Sequence, residues 1–263
     1  MEKRTCNIRY FNLPFRKVHN EKRCIFTEIT FMFPDIDIFA LCEMYYQSNM
    51  NHIEIPAGYI LYVHKIGTTK TSAFLYKDTL EVRQIDLNIP ITCILVKLGN
   101  KQNEWLKLSS FYRSPSKNND RIIEDYNCID YKDYNSIFVR YILETGKEKN
   151  HLMFADINWN IMEDGRPKNR YGEARAYEEI KSANVCNHWG LSNTYPTKRG
   201  GSKLDICITS METMFGRGIC SIPFGKFTID TVPHKYDSRE VSDHYSAIVK
   251  IPYCTSDCLG FNP

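Results

Sequence analysis

Short runs of apolar residues, separated by polar and turn-forming segments, recur along most of this chain. Runs that are rich in β-branched and aromatic side chains predict strands. These runs cover residues 6–11, 36–42, 59–64, 72–76, 80–86, 91–98, 105–112, 151–155, 204–209 and 245–251. The second run, IDIFALC, is apolar at nearly every position. That pattern is typical of a strand that is buried on both faces.

Three other segments have the apolar spacing of helices, at residues 21–33, 131–146 and 173–186. Many strands with a few helices in separate connections predict two packed sheets with helices on the outside, an α/β (α+β) class. No linker or internal repeat divides the sequence. We therefore expect one domain over residues 1–263, with a core at about 6–252 and a tail at 253–263.

The composition is that of an ordinary globular protein. The 263 residues are 43% hydrophobic and 25% charged, and the formal net charge is +3. This balance neither requires nor excludes a polyanionic partner such as DNA, because binding depends on where basic residues cluster.

The ten cysteines are scattered along the chain, several of them in apolar runs where a thiol packs as a small hydrophobic group. The first residues lack the apolar segment of a signal peptide. No apolar stretch reaches the ~20 residues that span a bilayer. We therefore expect reduced cysteines, an intracellular location (nuclear or cytoplasmic) and no membrane partner.

Polar residues stand repeatedly at or near the ends of the predicted strands, where a sheet can deliver side chains into one cleft. They are Asn12, Glu43, Tyr112, Asp156, Asn158, Asp205, Asp243 and His244. Taken singly, most have a plain structural interpretation, since Asp156 and Asn158 are common turn formers. Asp205 is different because it stands between two apolar residues, where a buried and unpaired charge would be costly.

Taken together and in this order, these residues lie in segments that resemble the motifs of the endonuclease/exonuclease/phosphatase superfamily. The segments are IRYFN, PDIDIFALCE, FYRSP, ADINWN, SKLDICIT and SDH. Within the superfamily, the chain most resembles the apurinic-type endonuclease domains of non-LTR (LINE-like) retrotransposons. The resemblance implies a four-layer α/β/β/α sandwich of two packed mixed sheets with outer helices.

The resemblance also implies a divalent metal ion, Mg²⁺ or Mn²⁺. Glu43 would be the principal ligand, with Asn12 and Asp243 close to the ion or its water shell. A hard carboxylate oxygen suits either ion.

The remaining motif residues are implied to act on the attacking water and the phosphate. Asp156 would orient or deprotonate the water, Asn158 would hold the phosphate or the nucleophile, and Tyr112 would offer its hydroxyl to a phosphate oxygen. His244, paired with Asp205, would bind the scissile phosphate as a cation, because a carboxylate favours the protonated ring. In an alternative that the sequence leaves open, His244 is the general base and Asp156 only positions the water.

Basic residues in predicted loops near the motifs can contact a DNA backbone. The expected substrate-binding residues are Arg113, Lys198 and Arg199. An ordinary solvated surface explains the same residues equally well.

The predicted function is metal-dependent hydrolysis of one DNA strand that leaves a 3′-hydroxyl end. In a retroelement, that end would prime a reverse transcriptase fused to the chain or acting with it. A repair-type endonuclease that cuts at abasic sites is a close variant. The rival enzyme class is a phosphatase or phosphodiesterase that acts on a small or lipid phospho-ester. Nucleic-acid binding without catalysis is disfavoured because every ionisable position of the motif set is occupied.

Overall fold

A computed structural model of the chain describes residues 3–13, 25–45, 54–64, 70–98, 105–113, 134–146, 148, 150–161, 173–183, 195–197, 200–209, 229–232 and 246–254. The strands in these ranges are β1 Lys3–Asn12, β2 Ile38–Tyr45, β3 Tyr59–Val63, β4 Lys70–Lys77, β5 Val82–Ile85, β6 Ile91–Lys97, β7 Trp105–Tyr112, β8 His151–Ile161, β9 Tyr195–Thr197, β10 Gly200–Thr209, β11 Ile229–Val232 and β12 Ser246–Cys254. The helices are α1 Ile25–Met32, α2 Tyr134–Thr145 and α3 Glu173–Ala183.

Every predicted strand and helix is present, and the short strands β9 and β11 were not predicted. Several predicted boundaries differ from the observed ones, and two of the differences affect candidate residues. We expected β2 to end before Glu43 and β8 to end at residue 155, but they continue to Tyr45 and Ile161. Main-chain pairing with neighbouring strands carries both strands past the point where the apolar pattern stops.

The strands form two mixed six-stranded sheets. Sheet A has the order β11-β12-β1-β2-β4-β3, and sheet B has the order β5-β6-β7-β8-β10-β9. Each sheet contains one parallel pair near its centre, β1 with β2 and β7 with β8. A parallel pair needs a long crossover connection. Helix α1 lies in the connection between β1 and β2, and α2 lies in the connection between β7 and β8.

Alternation along the strands sorts the side chains into layers. Tyr10 and Ala40 belong to a core cluster that contains residues of both sheets, so they lie between the sheets. Their neighbours Phe11 and Phe39 pack with Phe26 of α1 on the outer face of sheet A. Successive side chains of a strand point to opposite faces, so one apolar run serves two layers.

The outer face of sheet B is covered by α2 and α3, which pack on it through residues such as Phe138 and Ile180. Together with α1 on sheet A, these helices complete the four layers, and the expected sandwich is confirmed. Within the described ranges, no helix is long and apolar enough to cross a membrane.

Candidate active site

The two parallel pairs bring candidate residues to the same edge of the sandwich. Asn12, the last residue of β1, lies opposite Cys42 of β2. Tyr112, the last residue of β7, lies opposite Asp156 of β8. The carboxyl ends of parallel strands are the usual place for a ligand site in α/β sheets.

Asn12 and Asp156 join the two sheets by a direct hydrogen bond. The Asn12 amide donates from Nδ2 to Asp156 Oδ2 at 2.7 Å. Both side chains are buried, at 0% and 1% exposure. The bond therefore fixes the Asp156 carboxylate where the two sheets meet.

The other oxygen of Asp156 organises the segment that follows it. Asp156 Oδ1 accepts a hydrogen bond of 3.1 Å from the backbone N–H of Asn158. This is the local bond by which an Asp stabilises a turn two residues further on. Asn158 adopts φ 50°, a left-handed conformation that Asn tolerates better than most residues. Its Nδ2 donates to the carbonyl oxygen of Arg113 at 2.7 Å.

Two apolar residues, Ile157 and Trp159, alternate with Asp156 and Asn158 along β8 and belong to the hydrophobic core. Ile157 and Trp159 are fully buried in the cluster under α2 and α3. Trp159 Nε1 also donates to Asn135 Oδ1 of α2 at 3.1 Å. The tryptophan of the ADINWN segment thus holds β8 against α2.

Glu43 lies at an irregularity inside β2. The pairing of β2 with β4 shifts register between Leu41 and Met44, and Glu43 has φ 60°. A bulge of this kind re-aims a side chain relative to a regular strand. On the other side of the bulge, the backbone N–H of Leu13 donates to the Cys42 carbonyl oxygen at 2.9 Å.

The buried Tyr112 lies opposite Asp156 in the pairing of β7 with β8. Burial raises the pKa of its hydroxyl far above the usual value, and the negative charges of Glu43 and Asp156 raise it further. The hydroxyl therefore stays protonated at neutral pH and keeps its capacity to donate a hydrogen bond.

Cys42, the residue before Glu43, connects β2 to β7. Its Sγ donates to the Phe111 carbonyl oxygen at 3.1 Å and lies 3.4 Å from Ser110 Oγ. Burial raises the pKa of this thiol to about 12, so it is neither a thiolate nucleophile nor a thiolate ligand at neutral pH. These contacts hold β2 against β7 at the residue that precedes Glu43.

Arg113 does not lie on an exposed loop, contrary to the sequence-based expectation. Its side chain is 6% exposed and forms an ion pair at 3.3 Å with Glu173, whose side chain is 5% exposed. The guanidinium also donates to the Ile157 carbonyl oxygen at 3.1 Å. A side chain engaged in this way is not a surface contact for DNA. Sequence analysis missed Glu173, because a glutamate near the start of a helix is unremarkable.

The remaining candidates are only partly placed. Asp205 of β10 lies opposite Asp156 of β8 at the level of the backbone. Asp243, His244, Lys198 and Arg199 lie outside the described residues.

Among the described residues, no group of three or more His, Cys, Asp and Glu side chains could hold a metal ion. The described oxygen donors of the expected set are the Glu43 carboxylate and the Asn12 amide. Hydrogen bonding through Nδ2 directs the amide oxygen of Asn12 away from Asp156.

A scan against protein-family models and a search of curated proteins both find no match for this chain. Solved structures do match over nearly its whole length. The endonuclease domain of TRAS1, a telomere-specific non-LTR retrotransposon, has a TM-score of 0.58 at 14% identity and covers 94% of this chain and 98% of its own.

The AP endonuclease LMAP from Leishmania major has a TM-score of 0.66 at 10% identity, with 95% and 89% of the two chains covered. An endonuclease/exonuclease/phosphatase family protein from Bacteroides thetaiotaomicron has a TM-score of 0.51 at 14% identity, with 96% of each chain covered. The two mixed sheets, the outer helices and these similarities together show that the chain has the fold of the endonuclease/exonuclease/phosphatase superfamily.

Proposed function

We propose that this protein is a divalent-metal-dependent endonuclease that hydrolyses one phosphodiester bond in DNA and leaves a 3′-hydroxyl end. The observation that carries the proposal is the 2.7 Å hydrogen bond between Asn12 and Asp156. It brings the ends of the two sheets together, with Tyr112 opposite Asp156 and with Glu43 next to Cys42, which lies opposite Asn12. Candidate residues from four strands thus meet at one edge of the sandwich.

Asp156 is proposed to act on the attacking water. Its carboxylate is held by two N–H donors, one from Asn12 and one from Asn158, so its orientation is fixed before substrate binds. A positioned acid or base of this kind contributes about 10²–10⁴-fold to a rate. His244 remains the alternative general base.

Phosphate binding is assigned to neighbouring groups. The protonated hydroxyl of Tyr112 would donate to a phosphate oxygen, and Asn158 would hold the phosphate or the nucleophile. His244, oriented by Asp205, would bind the scissile phosphate as a cation. Lys198 and Arg199 are retained as candidate contacts to the DNA backbone, whereas Arg113 is not, because it is buried.

The described donors fit a hard divalent cation. Mg²⁺ is commonly held by one or two carboxylates together with substrate phosphates. Glu43 would be the principal ligand, with Asn12 and Asp243 nearby. When bound, the ion would neutralise phosphate charge and polarise a phosphate oxygen.

Two of the similar structures are named as endonucleases, one from a retrotransposon and one as an AP endonuclease. These names support DNA as the substrate and make target-site nicking in a retroelement the favoured context, with a reverse transcriptase as partner. Cleavage at abasic sites and hydrolysis of a small or lipid phospho-ester are the alternatives.

The test is nicking of supercoiled plasmid with Mg²⁺, with Mn²⁺ and with EDTA, using wild-type protein and an Asp156→Asn/His244→Ala double variant. Asp78→Asn, an exposed carboxylate in the turn after β4, is the matched control. Metal-dependent open-circle product is expected from the wild type and the control but not from the double variant. Extension of the product by a DNA polymerase should show the 3′-hydroxyl.

If the wild-type protein does not nick the plasmid with Mg²⁺ or with Mn²⁺, the proposed endonuclease function is refuted. Oligonucleotides with and without an abasic site, and a small aryl phospho-ester, then separate the alternatives.

A further inference from the structure

The residue that follows Tyr112 is buried beside the proposed site without reaching it. The Arg113 guanidinium lies between β8 and the first residue of α3, where it pairs with Glu173 at 3.3 Å. Both side chains are almost completely shielded from solvent, at 6% and 5% exposure. Removing two charges from water is costly, so such a pair calls for a reason beyond stability.

Arg113 contacts every residue of the segment that carries the proposed chemistry. Its backbone N–H donates to the Asp156 carbonyl oxygen at 2.9 Å. Its guanidinium donates to the Ile157 carbonyl oxygen at 3.1 Å. Its own carbonyl oxygen accepts the bond from Asn158 Nδ2 at 2.7 Å. Three successive residues of β8 are therefore fixed by the residue that directly follows β7.

The guanidinium is suited to this double contact. Its donors lie in one rigid plane, so NH1 can bond the Ile157 carbonyl while NH2 bonds the Glu173 carboxylate. Glu173 fixes the plane of the guanidinium and thereby the direction of the bond to Ile157. Asn158, the next residue, has a left-handed backbone that a regular strand would not maintain.

We propose that Arg113 and Glu173 form a positioning pair, which holds the Ile157 backbone so that Asp156 and Asn158 keep the orientation needed for hydrolysis. The proposal rests on the endonuclease function proposed above. The pair acts through the β8 segment and does not touch the substrate. A displacement of this segment by about 1 Å would lower the rate on the order of 10²-fold.

The test replaces the whole pair by apolar residues, as Arg113→Met/Glu173→Leu. Removal of both charges avoids leaving one buried and unpaired, and such replacements often leave stability unchanged or improved. The matched control is Lys107→Met/Glu148→Leu. It removes another ion pair of β7, with N···O at 2.8 Å, at the opposite end of the strand.

In the nicking assay, we expect kcat of the Arg113/Glu173 double variant to fall about 10- to 100-fold, with KM for DNA within about twofold of wild type. The control should keep wild-type kcat, and both variants should unfold cooperatively on heating. Arg113→Lys should lose kcat as well, because an ammonium lacks the planar fork.

A second measurement does not depend on nuclease activity. In ¹⁵N-labelled wild-type protein, the side-chain amide of Asn158 should give resolved signals with slow hydrogen exchange. In the Arg113/Glu173 double variant, these signals should move toward the values of a solvated amide and exchange faster. The control should leave them unchanged.

Unchanged kcat in a folded double variant, or an unchanged Asn158 amide, would overturn the positioning role. Raised KM with unchanged kcat would also overturn it, because that result means a contact with DNA. If the wild-type protein does not nick DNA, the endonuclease proposal fails, and the Asn158 amide signals still decide whether the pair holds this segment.

Discussion

Glu43 in sheet A and Asn158 in sheet B occupy comparable places but differ in how well they suit the backbone they adopt. Each lies in the second strand of its sheet's parallel pair, close to the level at which the first strand ends. Each also has a left-handed backbone, with φ of 60° and 50°. The two sheets thus present a re-aimed polar residue at the same edge of the molecule.

The two residues differ in how well their side chains suit this backbone conformation. The Asn158 backbone N–H is bonded by Asp156, and its side chain is bonded to the Arg113 carbonyl, so the residue takes part in its own fixation. Next to Glu43, the Leu13 N–H donates to the Cys42 carbonyl and Ser110 Oγ donates to the Leu41 carbonyl. A glutamate has little intrinsic preference for this conformation. The backbone of β2 is therefore locally strained at Glu43, where the strand presents a carboxylate.

The largest expected effect is the loss of nicking activity when the Glu43 carboxylate is replaced. Glu43→Gln is expected to lower nicking by at least about 10²-fold, because it removes the carboxylate proposed to hold the metal ion. A higher metal concentration should recover part of the rate. The measurement is the nicking rate against Mg²⁺ and Mn²⁺ concentration, with Glu81→Gln, a surface partner of Lys97, as control. If Glu43→Gln keeps the wild-type nicking rate at low metal concentration, Glu43 is not a ligand of the metal ion.

The stability of the protein is also expected to depend on pH. This dependence must be measured before the stabilities of variants at positions 43 and 158 are compared. His151, at the start of the strand that carries Asn158, is buried, and burial lowers its pKa from 6.5 to about 3. Its Nε2 lies 2.9 Å from Ser109 Oγ, whose hydroxyl also contacts Tyr141 at 2.6 Å. The folded protein therefore keeps this ring neutral, whereas the unfolded chain takes up a proton below pH 6.5.

The contribution of neutral His151 is fully present above pH 6.5 and is lost as the pH falls from there toward 3. The slope approaches about 1.4 kcal/mol per pH unit at most. Urea unfolding at several pH values between about 7.5 and 4.5 measures it. His151→Gln should have a flatter profile in this window than the wild type. Equal slopes for the two proteins would show that His151 does not titrate as its burial implies.

The smallest expected effects separate the two left-handed residues directly, at pH 7.5 or above. At position 43, Gly should be more stable than Ala by about 1 kcal/mol, because only glycine adopts this conformation without steric cost. At position 158, Gly should be less stable than the wild-type Asn by about 0.5–1.5 kcal/mol, since the bond to the Arg113 carbonyl is lost. Urea unfolding of the four proteins measures both differences. Equal stability of Gly and Ala at 43 would contradict strain in β2.

The residues of the candidate site could be recognised in the sequence, but the reason for their placement could not. Asn12, Tyr112 and Asp156 follow or extend apolar runs, and the structure brings them together at one edge. The predicted ends of β2 and β8 fall short of Glu43 and Asn158, because pairing between main chains does not require apolar side chains. No pattern in the sequence signals the left-handed backbone of Glu43.

Arg113 and Glu173 mark the limit of sequence-based interpretation most clearly. An arginine after a strand is typical of an exposed basic residue, and a glutamate near the start of a helix is typical of a solvated one. They are 60 residues apart in the chain. Only the packing of α3 beside the end of β7 turns them into a buried ion pair.

The sequence by itself determined most of the elements, their alternation between two faces and the chemistry available at the strand ends, because these follow from side-chain type and spacing. The tertiary structure decided which of these residues meet, as with Asn12 and Asp156, and which are withdrawn from solvent, as with Arg113. The physical reason is that hydrogen bonds between distant segments depend on register and packing. Those are properties of the assembled sheets and helices, and no single segment contains them.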